Sequence, residues 1–276
     1  MQDKTKSPQM LNVEDVHKLR KRQLYILDTF DAICKKYGFQ YWLDFGTLLG
    51  AVRNGAFIPW DDDIDVSMPI DDYMKFLDVA NDALPENIFL QTTKTDPAFK
   101  QCFAKLRDCY STFIENHETG VMPYHQGIFI DIFPSCLYPR MPKLFRKVLM
   151  RTTVRSRYAA FVNKENIWLS LPIYCLCKLI WLLLSPFKKV AFGQIPEDNG
   201  YMYATPLEYL HPLGQITFEE KNYPCPRNPH EHLSRLYGPN YMLPPPDKNR
   251  VPHGKLILLD TPCQHPRALQ PSMDAR

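Results

Sequence analysis

An α/β (α+β) fold built round a small mixed sheet is the class this 276-residue chain predicts. Three observations carry that expectation. Strand-like apolar runs and helix-like stripes succeed one another through the first half of the chain, with no internal repeat. Hydrophobic residues make up 45% of the sequence, enough to bury the core of one large domain or of a domain with an appendage. Prolines gather after Pro196, which predicts an irregular C-terminal third.

The elements follow in order. Residues 1–10 are polar and read as a disordered tail. Asn12 can cap a helix running to about Lys36, with Asp15 at its third position and Gly38 as its stop. Val16, Leu19, Leu24, Leu27, Phe30 and Ile33 give that helix an apolar stripe. Residues 39–45 read as a strand ending at Gly46, and 47–53 as two helical turns closed by Asn54-Gly55. Residues 63–67 form a second strand. Pro69 can open a helix to about Asn81 that turns Tyr73, Phe76, Leu77 and Ala80 inward. Strands are predicted over 103–107, 112–115 and 128–133, the last alternating round Asp131. The core domain is therefore expected to span 11–139.

Beyond it the composition changes. Between 140 and 157 seven basic residues occur (Arg140, Lys143, Arg146, Lys147, Arg151, Arg155 and Arg157) with no acidic one. Residues 167–187 are apolar but for Lys178, and Lys188 and Lys189 follow. Their length suits a membrane span, yet Pro172 and Lys178 argue against a simple one. The 140–190 block reads either as a helix lying in the interface of an anionic membrane or as a buried helical hairpin with a solvated basic face. Over 191–260 the chain is expected to pack back on the core. There Asn228, Pro229 and Glu231 set up a short helix to Tyr237 stopped by Gly238, and 241–246 is extended. Residues 261–276 read as a loose tail.

Charge and cysteine content exclude some classes. A formal charge of +3 is too mild to point to nucleic acid. Eight cysteines occur without a CxxC pair, which argues against a zinc ribbon and for free thiols in a reducing cytoplasm. The first residues lack the apolar run of a secretory leader. The expected location is cytoplasmic, with peripheral attachment at the inner face of the membrane as the alternative.

Residues 45–66, FGTLLGAVRNGAFIPWDDDIDV, carry the chemistry. Asp61, Asp62, Asp63 and Asp65 crowd together between apolar neighbours, and unpaired like charges so placed call for a cation. Hard oxygen ligands favour magnesium, manganese or calcium. Strand alternation sends Asp63 and Asp65 to one side and Ile64 and Val66 to the core. Asp61 joins the pair if the backbone is extended there, while Asp62 faces away. Asp131 supplies a third carboxylate from a second strand, and three carboxylates on neighbouring strands suit metal-assisted phosphoryl transfer. Gly46 and Thr47, between a strand and a helix, can meet a phosphate. Arg53 either holds a phosphate or pairs with an aspartate. Lys105 and Arg107 share one strand face, where they either neutralise a diphosphate or meet solvent. His125 reads as a surface loop residue. An EF-hand register fails because Val66 and Asp72 stand where glycine and glutamate are needed. A nucleotide-sugar glycosyltransferase with a DxD pair, or a non-catalytic membrane-surface protein with a cation site, would share the acidic pattern.

The run WLDFGTLLGAVRNGAFIPWDDDIDV resembles the signature of the LicD family, and FAKLRD, HQGIFIDIFP and LYGPNYMLPPPDK extend the resemblance over most of residues 24–250. It implies a nucleotidyltransferase-type mixed sheet with flanking helices. It further implies transfer of phosphocholine or a related phosphorylated alcohol from a CDP-linked donor to a glycan or lipid-linked glycan hydroxyl, with magnesium required and manganese as the alternative ion. On that resemblance Gly46 and Thr47 form the phosphate-contacting turn, Asp63 and Asp65 the paired metal ligands and Asp131 the third carboxylate, while Asp61 aligns with a family aspartate; the residues themselves assign Asp131 as base and Asp61 as a further ligand.

Overall fold

The computed structural model describes residues 12–139, 141–164, 166–184, 186–187, 189–194 and 204–268. The tail at 1–10, Arg140, Lys188 and the last residues of the 261–276 segment lie outside them. The chain opens with α1 (Val13–Tyr37), capped by Asn12, whose side chain accepts from the Asp15 amide, and ended by Gly38 at φ 74°. Its stripe buries Leu19, Leu27, Phe30 and Ile33, as the periodicity predicts. Next come β1 (Trp42–Leu43), α2 (Phe45–Asn54), β2 (Asp65–Pro69) and α3 (Ile70–Ala83). The predicted strand over 39–45 is thus cut short. Asp44 takes the N-cap of α2 with its carboxylate on the Phe45 amide, so the helix starts two residues before Thr47. Tyr73, Phe76 and Ala80 of α3 are buried.

β3 (Ile88–Gln91), β4 (Ala104–Asp108), β5 (Thr112–Glu115) and β6 (Phe129–Pro139) follow. β3 is a strand the sequence reading passed over. The main sheet runs β1-β2-β6-β4-β3, with β2 and β6 parallel and the other pairs antiparallel. Helices flank it, so the mixed sheet with flanking helices is what forms. Ile64, Val66, Met68, Leu106, Ile130 and Ile132 fill its core against Phe30 and Phe76. Each such fully buried side chain contributes about 1.5–3 kcal/mol.

From β6 the chain enters α4 (Lys143–Arg157), one π-helical turn, and α5 (Ile167–Leu184), then returns as β7 (Lys189–Gln194) beside β6. The helical hairpin forms, but it is not a buried one: of the α5 residues only Ser170 and Cys177 are buried, which corrects that alternative. β8 (Thr205–Pro206) pairs with β7, and α6 (Leu207–Leu210) precedes a hairpin of β9 (Gly214–Phe218) and β10 (Lys221–Cys225). α7 (Pro229–Tyr237) carries the expected cap, Asn228 Oδ1 accepting from the Glu231 amide at 3.1 Å. Residues 241–243 turn rather than extend, closed by bonds from Tyr241 to Gly238 and from Leu243 to Asn240. β11 (Gly254–Leu258) pairs with β5 in a small separate sheet. The segment expected to be loose after Asp260 is anchored at two residues and otherwise mostly exposed where it is described: Cys263 is buried, and the His265 ring lies tilted against Phe89 and edge-on to His125.

Candidate active site

The parallel register of β2 on β6 sets Asp65 directly beside Asp131. The Asp131 amide donates to the Ile64 carbonyl at 2.8 Å, so the two strands are locked in that register at the residues concerned. Ile64 and Val66 are wholly buried, which turns Asp65 to the opposite face of β2. Asp63 lies just before β2. It joins Asp61, Asp65, Asp131 and Glu115 in lining one cleft of about 620 Å³. Phe45, Gly46, Leu49 and Arg53 of α2 form one wall, and Tyr237, Asn240, Tyr241 and Leu243 close it from the C-terminal segment.

Thr47 supports the acidic strand: its Oγ1 accepts the Asp65 amide at 2.8 Å. Gly46 approaches Asp61 so closely that a methyl group there would stand 2.6 Å from Asp61 Oδ2. Phe45 takes φ 43°, a left-handed conformation that costs an aromatic residue about 1–2 kcal/mol. Its ring meets Phe133 edge-on at the cleft, with centroids 5.1 Å apart.

Electrostatics mark the cluster. Burial, then the nearby Asp63, push the Asp61 carboxyl up to about 8. Burial raises Asp63, and burial with Asp63 and Asp131 as neighbours raises Asp65 well above the usual carboxylate range. Asp131 is pushed up to about 7 by burial, against the pull of Lys105. Four carboxyl groups held this close are disfavoured as anions unless a cation joins them. Their all-oxygen donor set suits a hard divalent cation.

Several predicted residues sit differently from the expectation. Lys105 and Arg107 are both buried and do not line the cleft. Their burial overturns the solvent-facing alternative. Lys105 Nζ reaches Asp131 Oδ1 at 2.9 Å and Glu115 Oε2 at 3.3 Å, over the Phe129 ring at 3.4 Å. Arg107 donates to Gln91 Oε1 and the Gly127 carbonyl, each at 2.8 Å. Two cations between acidic strands find buried carboxylates before they find water. Arg53 borders the cleft and donates to the Leu243 carbonyl at 3.1 Å, tying α2 to the C-terminal wall.

Asp62 does not face away. It is buried, and its oxygens accept the His253 and Gly254 amides at 2.8 Å each. Each oxygen takes one backbone amide, so Asp62 clasps the C-terminal segment, and with Asp61 and His253 it also forms a group whose ligand atoms lie close enough to hold an ion. That clasp brings His253 to the cluster, with Nδ1 3.2 Å from Asp63 Oδ2. Hydrogen bonding to Asp62 and the charge of Asp63 raise its imidazole to about 10. His125 is buried too, correcting its surface reading. Its Nδ1 accepts the Gly127 amide at 3.1 Å, and burial lowers the ring to about 3. Glu115 and His253 are cleft residues that the sequence reading missed. Glu115 ends a short strand like any other, and His253 is distant in sequence.

A model of the LicD/FKTN/FKRP nucleotidyltransferase domain matches residues 38–157. The chain is 33% identical over 266 residues to the lipopolysaccharide cholinephosphotransferase LicD of Haemophilus influenzae, covering 85% of this chain and 95% of that one. It is 41% identical over 54 residues to the ribitol 5-phosphate transferase FKRP of Homo sapiens, 20% of this chain and 10% of the relative. Over 125 residues it is 33% identical to mannosyltransferase regulator 4 of Saccharomyces cerevisiae, 44% and 10% of the two lengths.

Proposed function

Since the chain belongs to the LicD family, we propose that it is a metal-dependent transferase that moves phosphocholine or a related phosphorylated alcohol from a CDP-linked donor to a hydroxyl of a glycan or its lipid-linked precursor. The observation that carries this reading is the convergence of Asp61, Asp63, Asp65 and Asp131 on one cleft, with Asp65 and Asp131 as register neighbours. A relative matched over nearly its whole length is a cholinephosphotransferase by name, and a second is a ribitol 5-phosphate transferase, which supports a phosphorylated alcohol as cargo.

Asp61, Asp63, Asp65 and Asp131 would hold magnesium or manganese, which when bound neutralises the diphosphate and polarises the transferred phosphoryl group. The rest falls to the chain's own residues. Gly46 and Thr47 present the N-terminal amides of α2 to a phosphate. Arg53 adds positive charge at the cleft wall. Asp131, with a carboxyl near neutrality and steadied by Lys105, accepts the acceptor hydroxyl's proton. The acceptor oxygen bonds to the phosphorus that bears the alcohol as the bond from that phosphorus to the bridging oxygen breaks. CMP leaves with that oxygen.

Incubation with CDP-choline, CDP-ribitol and UDP-sugars, each with and without magnesium, tests the reading. CMP release from a CDP-alcohol only with the metal is expected. UDP release from a sugar nucleotide would replace it with the DxD glycosyltransferase. Asp63→Asn and Asp65→Asn should each lower turnover at least about a hundredfold while the thermal midpoint is kept. Near-normal rates in either would remove the carboxylate mechanism.

A further inference from the structure

The hairpin of α4 and α5 leaves and rejoins the sheet at one place. Tyr138 of β6 is the register partner of Ala191 of β7, so both feet of the excursion stand side by side. The inner face of α5 is held to α4 and to the sheet: Trp181 Nε1 donates to Thr153 Oγ1 of α4 at 3.2 Å, and the Trp181 ring meets Tyr138 of β6 with centroids 5.3 Å apart. At the outer end of the hairpin Phe161 of the π-helical turn, itself exposed, meets Tyr174 of α5 at 5.5 Å. The face opposite is bare. Trp168 is 97% exposed, and Leu169, Leu176, Leu179, Leu182 and Leu183 are exposed with it. α4 adds exposed Leu144, Phe145 and Val148, then Arg151 and Arg155.

An apolar face of this extent marks a surface that is covered in use. Charge chooses the cover. Residues 140–157 carry seven cations and no anion, and Lys178 is the one charged residue between 166 and 184. A second copy of the chain would set these cations against their own kind. α5 is long and apolar enough to cross a bilayer by itself. A lone crossing would strand β7 on the far side from β6, its sheet partner, and a crossing of the whole hairpin would draw the arginines of α4 through hydrocarbon. An anionic lipid surface satisfies both characters: acyl chains for the leucines and Trp168, phosphate headgroups for α4.

We propose that the α4–α5 hairpin is a monotopic anchor that lies in the interface of an anionic bilayer without crossing it. The full chain should float with phosphatidylcholine vesicles containing phosphatidylglycerol, much less with phosphatidylcholine alone, and less again at high salt. Trp168 fluorescence should shift to the blue and be quenched by lipids brominated near the glycerol end of the acyl chain. Arg151→Glu with Arg155→Glu should weaken partition about tenfold or more, and Leu179→Glu with Leu182→Glu should abolish it. Both variants should keep wild-type melting midpoints and wild-type CMP release. Equal flotation with neutral and anionic vesicles would overturn the anchor, as would binding that leaves Trp168 unquenched or resistance to carbonate extraction from cell membranes. A dimer dissolved by Leu179→Glu, with no vesicle binding, would assign the face to a second copy instead. Vesicle binding needs neither donor nor acceptor, so its failure would leave the transferase reading standing.

Discussion

Gly46 has no side chain where Asp61 needs the room. Gly46→Ala would press its methyl against Asp61 Oδ2, 2.6 Å away, and the carboxylate would have to swing out of the cluster. Turnover at saturating donor should fall about tenfold or more and the magnesium requirement should rise, with secondary structure by circular dichroism unchanged; a variant with wild-type kinetics would show that Asp61 is not needed in its place. Asp62 teaches the reverse lesson. Counting alternate positions along the acidic run sends it outward, but alternation holds only within a strand, and β2 begins at Asp65. Asp62 answers instead to the amides of His253 and Gly254, which no pattern near residue 62 announces.

At the level of elements, hairpin β9–β10 shows why some structure escapes sequence reading. A two-residue hairpin turn normally announces itself with Asn-Gly or Asp-Gly. Here Glu219 and Glu220 take φ 48° and 70°. The turn is held by tertiary bonds: the Glu219 amide donates to the Gly55 carbonyl at 2.9 Å, and Glu219 Oε1 accepts from the Phe57 amide at 3.1 Å. Glu220 has no such bond among those described, so Glu220→Gly should relieve the left-handed strain and raise unfolding stability by about 0.5–1 kcal/mol. A urea midpoint unchanged or lowered would contradict this. Helices α1 and α7 are legible because their caps are local, and α3 because Pro69 opens it and its apolar stripe follows. The strand over 39–45 was misjudged because Asp44 serves as a cap, bonded by His232 of α7 at 2.7 Å and by Ser67 of β2 at 2.7 Å.

For the whole molecule the acidic cleft sets a pH dependence. Asp61 and Asp131, ordinarily near 3.8, titrate at about 8 and about 7 when folded. His253, ordinarily near 6.5, titrates at about 10. In each case the folded state keeps a proton that the unfolded chain has already lost. Their contribution is therefore fullest at low pH and is lost as pH rises through the folded values. Without divalent metal, the melting temperature should fall between pH 6 and 9, and Asp61→Asn should flatten that slope. A bound cation must displace these protons, so magnesium should add more to the melting temperature at pH 8.5 than at pH 6.5. An equal metal effect at both would mean that the ion binds elsewhere.

By itself the sequence determined the capped helices, the acidic run at 61–65 and the strand round Asp131, because caps, periodicity and like-charge crowding are properties of neighbours in the chain. Only the tertiary structure decided which charges meet. It set Asp65 beside Asp131, turned Lys105 and Arg107 inward to Asp131 and Glu115, and brought His253 to Asp63 across 190 residues. Strand register and the closing of distant segments depend on which backbone groups and buried charges satisfy one another. That choice is made by the packed molecule and not by any stretch of it.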